Sequence, residues 1–260
     1  MQWKGFNGKL IIATPFYDSR SFSAYTQSMV STAMFLAAAG VKWDFMPLNG
    51  FFDVGLACDY AIHKFLQDEG STHLLWIDYD HSWEPIAIAK LLAADVDVIC
   101  ASYRMKNNWS EFTASLAPAT NGVLGKAREG EAPLLKAQAI TGGFTLTRRS
   151  VYERYAKAYP QRTYKTRAAG VSEGEIELVA FSSYANIDGI RCTPDRAFSA
   201  SLRELGIDMW VEPDVDIGHW GTKCWTGNLH RHLSGEDEEG QITKAAAVMK
   251  EAFPDQLKAA

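Results

Sequence analysis

Cysteine is scarce in this chain, and its spacing excludes the common zinc-binding patterns. The sequence has four cysteines and no CxxC pair, and no spacing of cysteine and histidine matches a structural zinc site. The cysteines are Cys58, Cys100, Cys192 and Cys224. We expect them to be small, buried side chains in a protein of a reducing compartment.

A long hydrophobic run is also missing. The uncharged stretch of residues 21–41 contains four serines, two threonines and a glutamine, whereas a membrane span is predominantly apolar over about 20 residues. The first residues, Met1 to Gly5, do not begin the apolar run of a signal peptide. The sequence therefore predicts a soluble protein with no transmembrane segment, located in the cytoplasm, or in the host cytoplasm if its source is viral.

An excess of positive charge is absent as well. Lysine and arginine number 26 against 31 aspartates and glutamates, so the formal net charge is −5. This balance excludes the global basic field typical of nucleic-acid-binding proteins. One local exception is Arg148–Arg167, with seven basic residues, one acidic residue and four tyrosines. Such a segment suits a phosphate-rich or polymeric ligand, or a solvated helix face followed by a polar loop.

The 260 residues are enough for one large domain or two small ones. A hydrophobic fraction of 47% excludes a wholly disordered chain and allows a sizeable core. No linker separates two independent units. We therefore expect one domain over residues 1–233, followed by an acidic, partly helical tail over residues 234–260.

Strands and helices alternate through the first hundred residues, which is typical of βαβ units and a parallel sheet. Apolar runs predict strands at residues 9–16, 43–46, 73–77 and 96–102. Periodicity and end signals predict helices at residues 21–39, 54–68 and 85–94. The predicted fold class is therefore α/β with a doubly wound sheet.

The second half of the chain is less regular, with few periodic segments over residues 107–138 and a long polar loop expected over residues 160–177. Further strands are predicted at residues 139–147 and 208–212, and helices at residues 150–159 and 193–206.

Two aspartates follow the predicted strand at residues 73–77. Asp78 and Asp80 are separated by one residue, and ligands of open α/β sheets bind at the carboxyl ends of the strands. Paired carboxylates there suit a hard divalent cation that is bound together with substrate phosphates. By spacing alone, a polar turn with two solvated aspartates is an equally good interpretation.

Five motifs follow one another along the chain. The first is a strand that ends in D-x-D (Leu75–Asp80) before a proline-containing helix start (Trp83–Pro85), and the second is an aromatic-basic turn (Ile99–Lys106). The others are a glycine-rich strand before a basic pair (Thr141–Arg149), an acidic helix start (Asp195–Phe198) followed by a strand (Trp210–Pro213), and a G-H-x-G motif (Gly218–Gly221). In this order the motifs resemble nucleotide-sugar glycosyltransferases of the GT-A fold, especially the family-2-like group of bacteria and viruses. The resemblance extends from about Ile11 to His232 and implies a GT-A-like, Rossmann-like, doubly wound mixed sheet in a single domain.

The resemblance implies a metal site and a donor site. Asp78 and Asp80 would hold a Mn²⁺ or Mg²⁺ ion that bridges the diphosphate of the donor, with His219 as a third ligand. Phe16 or Tyr17 would stack on the nucleobase, or belong to the core. The implied nucleotide-sugar contacts are Thr14, Pro15, Phe16, Tyr17, Asp18, Tyr79, Gly142 and Gly143.

The resemblance also implies that Asp195 is the general base that deprotonates the acceptor hydroxyl. The chain has Pro194-Asp195 where the family usually has Glu-Asp. A carboxylate in the first turn of a helix is stabilised in its ionised form, as a base requires, but an aspartate there is also a good N-cap. Asp188 is a weaker candidate base. The weaker candidates for acceptor binding are Tyr103, Arg104, Lys106, Asp188 and Trp220.

The predicted function is transfer of a sugar, with inversion, from a nucleoside-diphosphate sugar to a hydroxyl of a glycan or other acceptor, with a UDP-sugar favoured. A virus-encoded transferase that acts on hydroxymethylated bases in DNA is one alternative, although the negative net charge argues against it. A non-catalytic nucleotide-sugar-binding module on the same fold is another. A nucleotidyltransferase, which also uses paired carboxylates, is a weaker alternative.

Overall fold

The computed structural model describes residues 5–107, 111–118, 125–128, 130–167 and 174–235. The strands are β1 (Lys9–Phe16), β2 (Lys42–Asn49), β3 (His73–Ile77), β4 (His81–Trp83), β5 (Val98–Ala101), β6 (Ser115–Leu116), β7 (Gly125–Arg128), β8 (Glu131–Ala139), β9 (Phe144–Arg148), β10 (Thr163–Thr166), β11 (Ile176–Val179), β12 (Ala185–Ile187), β13 (Ile190–Cys192), β14 (Met209–Glu212), β15 (Ile217–Trp220) and β16 (Cys224–Trp225). The α-helices are α1 (Ser23–Ala38), α2 (Val54–Gln67), α3 (Pro85–Ala93), α4 (Arg149–Ala158), α5 (Pro194–Glu204) and α6 (Leu229–Ser234), with a 3₁₀ turn at Pro160–Arg162.

Nine strands form one mixed sheet in the order β2-β1-β3-β9-β5-β14-β8-β6, with β7 paired to β8. β1 is parallel to both β2 and β3, and β14 is parallel to β5. β9 lies antiparallel between β3 and β5, and β8 is antiparallel to β14. The predicted α/β class with a mixed sheet is confirmed.

Helices cover both faces of this sheet, because alternate strand residues point to opposite sides. Leu10 and Ile12 of β1 belong to the core beneath α1 and α3, whereas Ile11 and Ala13 belong to the core beneath α2, α4 and α5. The doubly wound arrangement therefore follows from an apolar strand that is buried on both sides.

Local signals set several helix ends. The Asp53 carboxylate accepts from the Leu56 backbone N–H at 3.0 Å and caps α2, and Pro85 occupies the first turn of α3. α6 begins at the Asn228 cap, and Gly235 ends it with a φ of 70°. Among the described residues, no helix combines the length and the apolarity that a membrane crossing requires.

Two sequence expectations for the second half of the chain are wrong, and the region of few periodic segments contains strands. Residues 107–138 contain β6, β7 and most of β8, whose side chains alternate between buried and exposed at positions 135–139. The strand expected over residues 139–147 is two strands, because β8 ends at Ala139 and β9 begins at Phe144 after Gly142 and Gly143. The loop expected over residues 160–177 instead pairs β10 with β11, although residues 168–173 lie outside the described residues. The predicted tail, residues 234–260, lies outside them from residue 236 onward.

A small second sheet lies next to the end of β3. Its strand order is β16-β15-β4, and β4 pairs antiparallel with β15 so that His81 lies opposite His219. Two segments that are far apart in sequence therefore meet beside Asp78 and Asp80.

Candidate active site

The backbone holds the D-x-D turn at three points. The Asp78 N–H donates to the Gly143 carbonyl at 3.0 Å, and the His81 N–H donates to the Asp78 carbonyl at 3.2 Å. The Trp220 N–H donates to the Asp80 carbonyl at 2.7 Å. The start of β9 and the end of β15 thus fix the direction of both aspartates.

Asp80, His81 and His219 form a cluster of side chains that fits a metal ion. One ligand atom from each of the three residues lies within 4.8 Å of the others. The two imidazole rings stack at a centroid distance of 4.8 Å and an interplanar angle of 9°. We call these three residues the metal cluster.

Unsatisfied polar atoms support a cation in the metal cluster. His81 is fully buried, and within the described chain neither of its ring nitrogens has a hydrogen-bond partner, nor does Oδ1 of Asp80. Buried polar atoms without partners are rare, and a bound ion is one of the groups that can satisfy them. A neutral imidazole has one lone pair, so His81 and Asp80 can each present one ligand atom, Nδ1 and Oδ1, and these atoms lie 3.5 Å apart, where they suit a shared metal ion.

The protonation of both histidines also suits a metal. Nδ1 of His219 lies 2.8 Å from the Arg104 carbonyl, which can only accept, so the proton of the neutral ring is on Nδ1 and Nε2 carries a lone pair. Burial lowers the pKa of His219, and it lowers the pKa of His81 to about 3. Both rings are therefore neutral at pH 7, as metal ligation requires.

The Asp78 side chain lines a cavity and is not part of the metal cluster. Its Oδ1 accepts from the Trp76 indole N–H at 2.8 Å, and the residue lines a cavity of about 300 Å³. Asp195 lines the same cavity. The pKa of Asp78 is raised to about 6, mainly by burial and also by the charges of Asp80 and Asp195. The structure thus separates the two predicted ligands: Asp80 is in the metal cluster, and Asp78 lies with the predicted base.

The cavity walls are mainly aromatic and aliphatic. They include Ile62, Trp76, Tyr103, Tyr152, Phe181 and Phe198. Low polarity strengthens the effect of the two carboxylates on a bound hydroxyl group. This cavity, with Asp78 and Asp195 in its wall, is called the carboxylate cavity below.

Gly143 allows the metal cluster and the carboxylate cavity to touch. A Cβ at this position would lie 2.7 Å from Oδ2 of Asp78 and 2.7 Å from Cε1 of His81. The Gly143 N–H also donates to the Tyr103 hydroxyl at 3.1 Å. Any larger residue would push these groups apart, so Gly143 is needed for close approach.

Asp195 lies in the first turn of α5, but it is not the helix cap. The N-cap position is Thr193, and Pro194 precedes Asp195 in the first turn. The Asp195 carboxylate is therefore available to the cavity. Gly142 lies beside it, since a Cβ there would be 3.8 Å from the Asp195 Cβ.

The predicted nucleotide residues divide into an interior and an exposed group. Thr14 is buried and its hydroxyl lies 2.7 Å from the Tyr25 hydroxyl, and Phe16 is buried against Tyr25, so both have packing roles. Tyr17 is 66% exposed and available to a ligand. Pro15, which lies between Thr14 and Phe16 in the sequence, is partly buried. Asp18 forms an ion pair with Arg20.

An aromatic strip connects this region to the D-x-D turn. Phe22 stacks on Tyr79 at 6.2 Å and lies 6.3 Å from Trp220, and Tyr79 lies 6.4 Å from Phe16. We call Phe16, Phe22, Tyr79 and Trp220 the aromatic strip. Its half-buried members offer ring faces beside the metal cluster.

The predicted acceptor residues lie in several places. Tyr103 is in the wall of the carboxylate cavity, and the Arg104 carbonyl orients His219. Lys106 forms an ion pair with Asp80, and Trp220 is in the aromatic strip. Asp188 lines another cavity, which shares Phe181 and Phe198 with the carboxylate cavity.

Sequence reasoning missed His81 and Phe22. His81 directly follows the D-x-D motif, but only its register with His219 shows that the two rings meet. A histidine directly after paired aspartates is a signal that could have suggested a ligand.

The basic segment Arg148–Arg167 is engaged mainly within the protein. Six of its seven basic residues contact acidic groups, hydroxyls or carbonyls: Arg148 with Asp95 and Asp97, Arg149 with Glu153, Arg154 with the Leu205 carbonyl, Arg162 with Tyr155 and Ser201, and Lys165 and Arg167 with Glu175. These contacts favour a structural role for the segment over a polymer-binding role.

A buried carboxylate on α2 holds one wall of the carboxylate cavity. Oδ1 of Asp59 accepts from the backbone N–H groups of Phe181 and Ser182 at 2.8 Å each, and Oδ2 accepts from the Tyr164 hydroxyl at 2.9 Å. Burial raises the pKa of Asp59 to about 7. The folded protein therefore retains a proton between about pH 4 and 7 that the unfolded chain loses, so this group makes stability fall as the pH rises through that range.

We expect Asp59→Asn to remove this pH dependence. The shift in pKa from 3.8 to about 7 corresponds to at most about 4 kcal/mol. Urea unfolding at pH 5 and pH 8 measures this dependence. The free energy of unfolding of the native protein should fall more between pH 5 and pH 8 than that of Asp59→Asn. Asp208→Asn is the control, because Asp208 is exposed and pairs with Lys136. Parallel pH profiles for the native protein and Asp59→Asn would contradict the assignment.

No protein-family model matches the chain, and a comparison with curated proteins finds no significant match. Solved structures resemble it in shape. A197 from STIV is 14% identical to this chain, with a TM-score of 0.46. The alignment covers 82% of this chain and 86% of the A197 chain. A Drosophila β-1,4-galactosyltransferase 7 variant, solved with manganese, UDP-Gal and xylobiose, is 13% identical with a TM-score of 0.45, over 88% of this chain and 74% of its own.

A third structure is a GalNAc transferase with UDP, GalNAc and Mn²⁺. It is 11% identical with a TM-score of 0.43, over 83% of this chain and 44% of its own. At these TM-scores and identities, the likenesses establish neither a substrate nor an activity for this chain.

Proposed function

We propose that this protein is a metal-dependent glycosyltransferase that moves a sugar from a nucleoside-diphosphate sugar, favouring a UDP-sugar, to an acceptor hydroxyl. The observation that carries the proposal is the position of the metal cluster directly beside the carboxylate cavity. Gly143 touches both, and both lie where β3 ends. The order of the sequence motifs supports the same reaction.

The metal cluster suits Mn²⁺ better than Mg²⁺. Two of its three ligands are imidazoles, and imidazole binds transition metals, whereas Mg²⁺ prefers oxygen ligands. Asp80, His81 and His219 would hold the ion and leave positions open for phosphate oxygens. When bound, the metal acts as a Lewis acid that offsets charge on the departing diphosphate.

The carboxylate cavity supplies the base. Asp195 accepts the proton of the acceptor hydroxyl as the acceptor oxygen bonds to the anomeric carbon of the sugar. The bond from that carbon to the diphosphate breaks, and the diphosphate leaves with the electron pair. This single displacement inverts the configuration at the anomeric carbon. Asp78, whose Oδ1 accepts from the Trp76 indole N–H, lines the same cavity as Asp195 and would orient the hydroxyl by accepting a second hydrogen bond.

The half-buried members of the aromatic strip, Phe22, Tyr79 and Trp220, and the exposed Tyr17 suit the nucleoside of the donor. The faces of aromatic rings stack on nucleobases of any identity. Tyr79 lies between the two aspartates of the D-x-D turn. A base stacked here places its diphosphate next to Asp80.

Donor hydrolysis tests the proposal. UDP-, GDP-, dTDP- and CMP-sugars are incubated with the protein and Mn²⁺, and release of the nucleotide is followed by chromatography. We expect slow release from a UDP-sugar that stops when EDTA removes the metal and returns with added Mn²⁺. Release that EDTA leaves unchanged, or none from any donor together with no donor binding, would contradict the proposed function.

We expect His219→Ala to weaken Mn²⁺ binding at least about tenfold, because an open ligand position is left in the metal cluster. Its thermal midpoint should also fall, since the substitution removes the hydrogen bond from Nδ1 to the Arg104 carbonyl and the ring contacts with His81 and Tyr103. Titration calorimetry and thermal unfolding measure the two effects. His230→Ala, on α6, is the control. A large loss of stability with unchanged Mn²⁺ affinity would make His219 a structural residue.

A further inference from the structure

The loop after β5 carries Lys106 to the metal cluster. Two side-chain contacts with the small second sheet fix this loop on either side of the lysine. Nδ1 of His219 donates to the Arg104 carbonyl at 2.8 Å, and the Trp225 indole N–H donates to the Asn107 carbonyl at 2.8 Å. The stem of Lys106 lies against Gly221, since a Cβ there would be 3.4 Å from Cδ of the lysine.

The Lys106 ammonium forms an ion pair with Oδ2 of Asp80. That oxygen faces His219, whose Nε2 is 3.8 Å away, so the ammonium lies where a metal ion would share the same carboxylate. Lys106 is 32% exposed and Asp80 17%, so the pair is only partly screened by water.

The net charge of Asp80, His81, His219 and Lys106 rises when a metal enters. One carboxylate, one ammonium and two neutral imidazoles sum to zero. A divalent ion added to this set leaves two positive charges in excess, and the ammonium beside it is repelled. A diphosphate is the group that restores neutrality, and its oxygens are good partners for a lysine.

We propose that Lys106 is a resident counter-ion of Asp80 that a divalent metal displaces, and that the displaced ammonium then pairs with the diphosphate of the donor. This inference rests on the proposed function. It moves Lys106 from the acceptor side of the reaction to the donor side.

A coupling between metal and diphosphate follows. Metal alone must compete with the lysine for Asp80 and binds weakly. With the diphosphate present, the lysine has a new partner, so metal and diphosphate each raise the affinity of the other by the same factor.

Mn²⁺ binding without any sugar donor tests the proposal. Free Mn²⁺ is measured by electron paramagnetic resonance during titration of the native protein, Lys106→Met, Lys106→Arg and Lys223→Met. Lys223 is the matched control, since it is exposed and its ammonium lies 5.2 Å above the Trp225 ring. Inorganic pyrophosphate is then titrated calorimetrically at saturating Mn²⁺. Thermal unfolding verifies that each variant is folded.

We expect Lys106→Met to bind Mn²⁺ alone about tenfold more tightly and pyrophosphate about tenfold more weakly, equivalent to one decade in each dissociation constant. Lys106→Arg and Lys223→Met should stay near the native values. Mn²⁺ affinity that is unchanged or weaker in Lys106→Met, while the native protein binds Mn²⁺, would overturn the counter-ion role alone. Absence of Mn²⁺ binding in the native protein and in every variant would overturn the proposed function itself.

Discussion

Asp80→Asn should abolish Mn²⁺ binding and reduce Mn²⁺-dependent turnover of the donor by at least about 10³-fold. Asp80 is the only carboxylate among the three residues of the metal cluster, and the amide keeps the shape of the side chain but loses its charge. The same change leaves Lys106 without its anionic partner, so local positive charge also opposes the cation. The measurements are Mn²⁺ titration and release of nucleotide from the donor.

Asp208→Asn is the control for this variant, because it removes a carboxylate of similar type from an exposed ion pair with Lys136. Its Mn²⁺ affinity and turnover should match the native protein. Turnover near the native rate in Asp80→Asn, at the same Mn²⁺ concentration, would mean that the metal cluster is not the metal site of the reaction.

Asp195→Asn should lower transfer to the acceptor by about 10²–10⁴-fold, the usual contribution of a positioned base. Affinity for Mn²⁺ and for the donor should change little, since Asp195 belongs to the carboxylate cavity and not to the metal cluster. The start of α5 should persist, because its N-cap is Thr193. Transfer is measured at saturating donor, beside a calorimetric titration with UDP and Mn²⁺.

Asp208→Asn is the control here as well, since Asp208 forms an exposed ion pair with Lys136 and is not among the residues that line the carboxylate cavity. Full transfer by Asp195→Asn would contradict its role and direct attention to Asp78, which shares the carboxylate cavity. Loss of UDP binding with Mn²⁺ affinity intact would instead place Asp195 in the donor site.

The elements nearest the site could be predicted because their sequence pattern is strong. β3 has the predicted bounds, His73–Ile77, and α3 ends one residue before the predicted limit. Each has an apolar run with a clear signal at one end. An aspartate follows the run of β3, and a proline begins the run of α3. The position of the candidate site follows as well, because polar residues after a buried strand come to the edge of the sheet.

The sheet order and the metal cluster could not be predicted in the same way. β9 enters antiparallel between β3 and β5, so strand neighbours cannot be derived from alternation alone. His81 becomes a metal-ligand candidate only because β4 pairs with β15, a strand from the far end of the chain that brings His219 opposite it. Pairing between distant segments depends on tertiary packing, which local pattern does not encode.

A crystal of the protein grown with Mn²⁺ and UDP tests the central claim most directly. Anomalous scattering at the manganese absorption edge locates the ion without assumptions about its ligands. We predict one strong peak within bonding distance of the Asp80 carboxylate, His81 and His219, in contact with the UDP diphosphate. A manganese peak elsewhere in the protein, or UDP bound with no peak at these three residues, would contradict the account.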